Sequence, residues 1–235
     1  LAQVGQFGFE KADITDANSV RNGVKSATAV VNLCGVFGKA MHRVHVEGAR
    51  NVAEAARDAG ADAMVQISAI GASLESESAY GRTKGEGEKA VRDAFPDATI
   101  IRPSLVFGPE DDLTNRFAAM ANLPILPVIA AKRNFQPVYV RDVAKAIALA
   151  ALNPVPFAGK TYEIGGPQVM SMVELHQAII ALTGQKPEIV RTPDFITGLI
   201  ARLGFLPGAP LTQDQWMMLQ RDNVPSGELP GLKAF

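Results

Sequence analysis

The chain has 235 residues, 47% of them hydrophobic and 20% charged, with a formal net charge of −1. That suits one α/β core with room for a small appended lobe, and the lack of a basic excess excludes a nucleic-acid partner recruited by charge. The single cysteine, Cys34, excludes an internal disulfide and fits a reducing compartment.

The opening residues, LAQVGQFGFEKADITD, start on Leu1 and read as the middle of a longer chain. Residues 7–12 are expected to form a strand, and Asp16 to cap a short helix over 17–25. TAVVNL, at 28–33, reads as a buried strand because its apolar run is nearly unbroken. Residues 44–59 form a helix with Ala49, Val52, Ala53 and Ala56 on its inner face, stopped by Gly60. A strand at 63–68, a helix at 79–94 and a strand at 98–102, ended by Pro103, follow. This β-α-β order predicts a parallel sheet with helices on both faces. Ligands of such sheets bind beyond the carboxyl ends of the strands. The segments there are DITD, CGVF, SAIGAS and RPSLVFGPED.

After Gly108 the pattern loosens. Residues 113–122 read as a helix, 135–138 as a short strand, 141–152 as a helix and 160–164 as a strand turned by Gly165-Gly166-Pro167. Ser171 and Glu174 make a capping box for a helix that runs to Leu182 and ends at Gly184, with Leu175, Ile179 and Leu182 on its buried side. Two more helices are predicted at 193–203 and 213–221, the second opened by a Thr212–Gln215 capping box. The Gly- and Pro-rich tail from Pro225 is expected to be loose. Residues 117–131 are the longest apolar stretch. Two prolines and an asparagine interrupt it, so it cannot make a straight spanning helix of roughly 20 residues. The fold class is therefore α/β: a Rossmann-like, doubly wound parallel sheet over 1–110, with its N-terminal βαβ portion missing. A small, mostly helical C-terminal lobe covers 111–235, of which 135–165 returns to the sheet.

The chemistry concentrates in SAYGRTK. Tyr80 and Lys84 stand four residues apart on one helix face, just beyond a strand that ends in Ser68. A tyrosine with a pKa of about 10 is a poor acid–base at neutral pH, and a neighbouring ammonium is expected to lower it. The lysine can also hold a ribose hydroxyl, while a serine hydroxyl polarises a carbonyl. The spacing alone also fits a half-exposed helix start; its place after the strand points to a nucleotide site. His42 and His45 lie three apart, but no cysteine or third histidine completes a metal set, and Glu47 is not expected on their face. Glu110, Asp111 and Asp112 suit the dipole of a helix start. No Gly-x-Ser-x-Gly elbow or Walker loop is present. Phe195, Ile196, Leu199, Ile200 and Leu203 form an apolar stripe that reads as core, or as an interface with a partner or a membrane surface.

The order ADITD, VVNLCG, VQISAIGA, YGRTK, IIRPSLVFGP and FQPVYVRDVAKAI resembles the extended or atypical branch of the short-chain dehydrogenase/reductase superfamily, from about residue 7 to 180. More narrowly, VRDAFPDATIIRPSLVFGPEDDLTNRFAAM, QPVYVRDVAKAI and the late LTQDQWMMLQRDNV resemble the nucleotide-binding accessory subunit of respiratory complex I and its bacterial relatives. The resemblance implies bound NADP(H) or NAD(H), NADP(H) being slightly preferred. Asp13 and Ile14 would flank the adenine. Leu33, Cys34 and Gly35 would line the phosphates and ribose, Tyr80 and Lys84 would meet the nicotinamide ribose, and Pro103 and Val106 would lie by the nicotinamide. Without the resemblance, Asp13 caps a turn, Gly35 ends a strand and Pro103 punctuates one.

Three positions depart from the family's pattern. The Gly-rich phosphate loop would precede Leu1 by roughly 50 residues. His45 stands where extended members carry an asparagine. The catalytic serine is Ser68 or Ser73, and Ser68 is the choice. Two readings result. One is a subunit holding the nucleotide as a structural ligand, its apolar lobe docked on complex I subunits at the cytoplasmic or mitochondrial-matrix side of a membrane. The other is an oxidoreductase or epimerase using Tyr80, Lys84 and Ser68 on a small or lipid-like carbonyl, alcohol or sugar. A stand-alone NADPH sensor is a third. The few polar groups in 113–131 and 195–211 argue against a nucleotide sugar.

Overall fold

The computed structural model describes residues 8–202 and 211–235. In chain order these form α1 (Ala17–Gly23), β1 (Ala29–Asn32), a π-helical turn (Arg43–Gly48) that runs straight into α2 (Ala49–Asp58), β2 (Ala63–Ile67), α3 (Ala79–Ala94) and β3 (Thr99–Pro103). Then come β4 (Val106–Phe107), α4 (Asp112–Met120), β5 (Ile125–Val128), β6 (Asn134–Phe135), β7 (Val138–Tyr139), α5 (Val140–Leu152) and β8 (Thr161–Ile164). The remainder is β9 (Met170–Ser171), α6 (Met172–Thr183), β10 (Glu188–Arg191), α7 (Asp194–Arg202), α8 (Gln213–Met218) and a 3-10 turn (Leu232–Ala234).

The central sheet has the order β1-β2-β3-β8 and is parallel throughout. Successive residues of one strand serve opposite layers, as the period of two requires. Met64 packs with Val20, Val30, Val52 and Val91 beneath α1–α3, while Val65 packs with Ile101, Val143, Tyr162 and Ile164 beneath α5. Helices on both faces make the sheet doubly wound. A third cluster, built on Leu126, Val128, Phe135, Met172 and Leu175, forms beside it.

Local chemistry sets most helix ends. Asp16 accepts the N–H groups of Asn18 and Ser19, and Ser78 that of Gly81. The Ser171–Glu174 and Thr212–Gln215 capping boxes both form. Gly60 and Gly184 adopt φ of 72° and 71°, the left-handed geometry that closes a helix.

Several expectations need correction. Residues 8–13 form no strand; Phe7 and the residues before it lie outside the described residues. The single strand expected at 135–138 is two short ones, because Gln136 and Pro137 belong to neither ladder and proline donates no ladder hydrogen bond. Leu182 projects into solvent at the end of α6. A parallel pair, β5 with β10, was not expected at all. The tail is docked rather than loose. Phe235 stacks on Phe157 with centroids 4.8 Å apart, and Glu163 N–H donates to the Pro230 carbonyl at 3.0 Å. Apolar anchors thus outweigh the Gly/Pro composition that suggests disorder.

Candidate functional site

The site lies at the carboxyl edge of the sheet, where α3 starts close beneath the ends of β1 and β2. Three glycines let α3 approach this closely. A Cβ on Gly85 would stand 2.6 Å from the Ser73 backbone, one on Gly81 would overlap Ser76 Oγ, and one on Gly87 would overlap the His45 carbonyl oxygen. Each glycine costs about 1 kcal/mol of helix propensity against alanine, a cost offset by the contact it permits.

Lys84 is buried, and its amine donates to the Ile67 carbonyl at 2.9 Å. Desolvation brings the amine down to about 8, against the pull of Glu88 and Cys34. Tyr80, one turn earlier, stacks on Phe37 with centroids 4.7 Å apart and meets the edge of His45 at 5.5 Å. Burial pushes its hydroxyl above the ordinary tyrosine value. This corrects the expectation that Lys84 lowers it: the amine is engaged on a backbone carbonyl, and desolvation disfavours the phenolate.

His45 is the hub of the cluster. Its Nε2 accepts the Val36 N–H at 3.1 Å, so its Nδ1 carries the proton and donates to Thr83 Oγ1 at 2.9 Å. Thr83 in turn donates to the Ala79 carbonyl at 2.8 Å. Burial and the Lys84 ammonium bring the imidazole down to about 4, so it is neutral at physiological pH. The histidine therefore braces the 35–37 loop against α3. It is presented by the π-turn, whose wider spacing also brings His42 within 3.3 Å of Glu47, contrary to the helical-wheel expectation.

Beneath this lies a polar chain that sequence reasoning missed. Asn32 and Gln66 are register partners on β1 and β2, joined by a buried 2.8 Å side-chain hydrogen bond. Asn32 Oδ1 accepts the Cys34 N–H at 3.0 Å, and Gln66 Nε2 donates to the carbonyl of Ile67, the same oxygen that holds Lys84. The available signal was an amide residue in each of two apolar strands.

Ser68 sits at the end of β2 with its N–H on the Ile101 carbonyl. Its Oγ is buried and, alone among the buried side-chain polar atoms of the described residues, has no partner. Ser73, the other candidate, uses its hydroxyl on the Glu75 N–H at 3.2 Å. Gly35 lies above Lys84: an added Cβ would meet only His45 Nε2 and Lys84 Nζ within 4 Å, both at 3.8 Å. An orphaned hydroxyl, an amine and a side-chain-free approach over the strand end fit a nicotinamide ribose and its neighbouring groups.

The remaining sequence-predicted residues are more dispersed. Cys34 and Leu33 are exposed at the end of β1. Asp13 accepts both the N–H and the hydroxyl of Thr15, which hold its carboxyl below the usual range. Ile14 packs on Gly48, and its carbonyl accepts from Asn51 at 3.0 Å. Ile14 is thereby fastened to the π-turn and α2. Pro103 is buried at the end of β3, and Val106 pairs with Val138 in β4–β7.

Two further contacts fix α3. Arg102 forks onto Glu88 at 2.8 and 2.6 Å and reaches Glu163 at 3.4 Å, tying α3 to β3 and β8. Asp214 of α8 accepts the backbone N–H groups of Ala79 and Tyr80. A surface cavity of about 230 Å³ beside Glu88 and Arg102 touches none of Ser68, Tyr80 and Lys84. Among the described residues no cluster of three His, Cys, Asp or Glu could hold a metal ion.

Comparison with known proteins matches the RmlD substrate binding domain over residues 72–195. The chain is 35% identical over 241 residues to NADH dehydrogenase (ubiquinone) 1 alpha subcomplex subunit 9, mitochondrial, of Rattus norvegicus, covering 99% of this chain and 64% of that one. It is 31% identical over 175 residues to the ceramide reductase of Caulobacter vibrioides, covering 72% of this chain and 55% of that protein. The chain thus spans less than two thirds of the length of either relative. The solved dTDP-4-dehydrorhamnose reductase of Bacillus anthracis, in complex with NADP, superposes with a TM-score of 0.70 at 18% identity, over 88% of this chain and 85% of that one. That likeness establishes the Rossmann-type fold.

Proposed function

The chain belongs to the RmlD substrate binding domain family, and on that footing we propose that it is a nicotinamide-nucleotide-binding subunit of a respiratory NADH dehydrogenase, holding its nucleotide as a structural ligand. Likeness to the rat mitochondrial subunit runs over 99% of the chain, lobe included. The observation that carries the non-turnover part is the state of Tyr80. Its hydroxyl is pushed up by burial, and Lys84, which would activate it, directs one of its three N–H groups to the Ile67 carbonyl and leaves the others for the ribose.

In this reading Lys84 and Tyr80 grip the nicotinamide ribose and Ser68 Oγ gains its missing partner. Leu33, Cys34 and Gly35 line the path toward the phosphates, Asp13 and Ile14 flank the adenine, and Pro103 and Val106 border the nicotinamide. NADP(H) is the preferred ligand and NAD(H) the other. Binding would stabilise the fold by mass action.

The lobe supplies the docking face. Helix α7 turns Thr197 and Ala201 inward and leaves Phe195, Ile196, Leu199 and Ile200 outward. Large apolar residues on the outer face suit a protein neighbour, here other subunits of the complex on its mitochondrial-matrix or cytoplasmic side. No helix among the described residues is long and apolar enough to cross a membrane; the reading takes the apolar face of α7 as a peripheral contact. Native electrophoresis of gently solubilised membranes tests the assignment. Co-migration with the NADH dehydrogenase and release of a nicotinamide nucleotide on denaturation are expected; migration as a small free species overturns it.

A second reading is favoured by the ceramide reductase likeness together with the orphaned Ser68 Oγ. It is reduction of a lipid-like carbonyl. The nicotinamide would supply hydride; Ser68 would hold the carbonyl oxygen and Tyr80 would donate its proton, with Lys84 behind it. NADPH oxidation that depends on a long-chain keto substrate and is lost in Tyr80→Phe would establish it.

A further inference from the structure

Asp214 reaches back 135 residues in sequence to the start of α3. Its Oδ1 accepts the Ala79 N–H and its Oδ2 the Tyr80 N–H, the latter at 3.1 Å. Ser78 takes the next, Gly81, at 3.0 Å. Two of the N–H groups that a helix leaves free at its start are thus satisfied from outside the local sequence, by a carboxylate that the helix dipole favours. The same segment continues past the end of β3. Ser104, which follows Pro103, donates to Asn223 O and Oδ1 at 2.6 and 2.8 Å, and Ser226 N–H donates to Glu163 at 2.7 Å. Residues 212–226 therefore form a strap that runs from the first turn of α3 along the carboxyl edge of the sheet to β8. Tyr80 is held between two bodies: its ring by Phe37 and His45, its backbone by the strap.

We propose that Asp214 is a positioning residue of the nucleotide site: by fixing the first turn of α3 it fixes Tyr80, so seating of the C-terminal strap and grip on the nucleotide are coupled. This rests on the nucleotide-binding reading above. Coupling is reciprocal: nucleotide tightens the strap, and anything that lifts the strap loosens nucleotide. A partner seated on the lobe would then sense whether nucleotide is bound.

The test uses the full-length protein with Asp214→Ala and Asp214→Asn, titrated with NADPH and with NADH. Tryptic cleavage after the exposed Arg221 reports the strap, and amide exchange reports α3. Asp214→Ala is expected to weaken binding about tenfold, by loss of a charge-assisted pair of hydrogen bonds. Asp214→Asn, which keeps one acceptor oxygen, weakens it less. Nucleotide slows cleavage after Arg221 in the wild type but not in Asp214→Ala. Amides of Ala79 and Tyr80 exchange faster in Asp214→Ala while that of Val91 stays protected, which separates a loosened first turn from an unfolded helix. Wild-type affinity in Asp214→Ala despite faster exchange at Ala79 and Tyr80 overturns the coupling and leaves the nucleotide reading intact. Failure of the wild type to bind either nucleotide overturns both. If Asp214→Ala does not fold, Asp214→Asn decides by the same readouts.

Discussion

Gly87 and His45 meet backbone to backbone: a Cβ on the glycine would overlap the histidine carbonyl oxygen. Alanine is the better helix former by about 1 kcal/mol, so propensity alone favours Gly87→Ala. The clash is against backbone on a π-turn that also carries a buried side chain, and overpacking of this kind costs roughly 1–3 kcal/mol or more. The clash should win. Gly87→Ala is expected to lower the thermal midpoint; an unchanged or raised midpoint would show that the turn yields freely.

The neutral His45 gives stability a pH window. An unfolded histidine titrates near 6.5, whereas this one is held at about 4 when folded. Between the two values the unfolded chain binds a proton that the folded chain does not. Stability is therefore fully present above about 6.5 and is lost as pH falls toward 4, by an amount on the order of 2–3 kcal/mol. Urea titrations at pH 7 and 4.5 should show this slope in the wild type and a shallower one in His45→Asn. Equal slopes would assign the loss to other groups.

The Glu88–Arg102 fork is buried enough that breaking one side leaves a stranded charge. Glu88→Gln should cost about 3 kcal/mol, while the double change Glu88→Leu with Arg102→Met should cost less than that single one. Chemical denaturation of the set measures it. A double variant weaker than Glu88→Gln would mean that the Glu163 contact carries more of the network than its 3.4 Å geometry suggests.

On α7, Phe195 and Leu199 face outward. Phe195→Asp and Leu199→Asp are expected to leave the folding stability within about 0.5 kcal/mol of wild type, as surface substitutions do, while, on the proposed subunit reading, abolishing co-migration with the respiratory complex on native gels. A destabilised but still co-migrating variant would place these side chains in the core of the assembled lobe instead.

Much of this architecture was legible where its causes are local. Helix α3 begins after Ser78 and runs over the expected 79–94, because the cap and the composition sit within the helix itself. The four parallel strands follow from β-branched runs between helices. Contacts between distant segments were not legible. The β5–β10 pairing joins segments about 60 residues apart, and Pro127 in β5 argues locally against a strand. The docked tail depends on Phe235 finding Phe157. In the site, the Tyr80–Lys84 spacing was visible, but the direction of the tyrosine shift was not. Burial decides it, and burial belongs to the fold rather than to the motif. The stripe expected at 195–203 was legible as a face, its last member Leu203 lying outside the described residues; the side it occupies follows from Thr197 and Ala201 turning inward, with Gly198 close against Trp216.

The π-turn at Arg43–Gly48 leads without a break into α2. Relative to an uninterrupted α-helix it holds one residue too many, and each residue turns a helix by about 100°. Deleting a single residue from this stretch would restore a regular helix and re-aim the side chains of the turn itself, because the widened turn is what absorbs the extra residue. His45 would swing away from Val36 and Thr83, and the 35–37 loop would lose its anchor. The length of this one helix is therefore a character by which relatives with a braced site can be sorted from those without one.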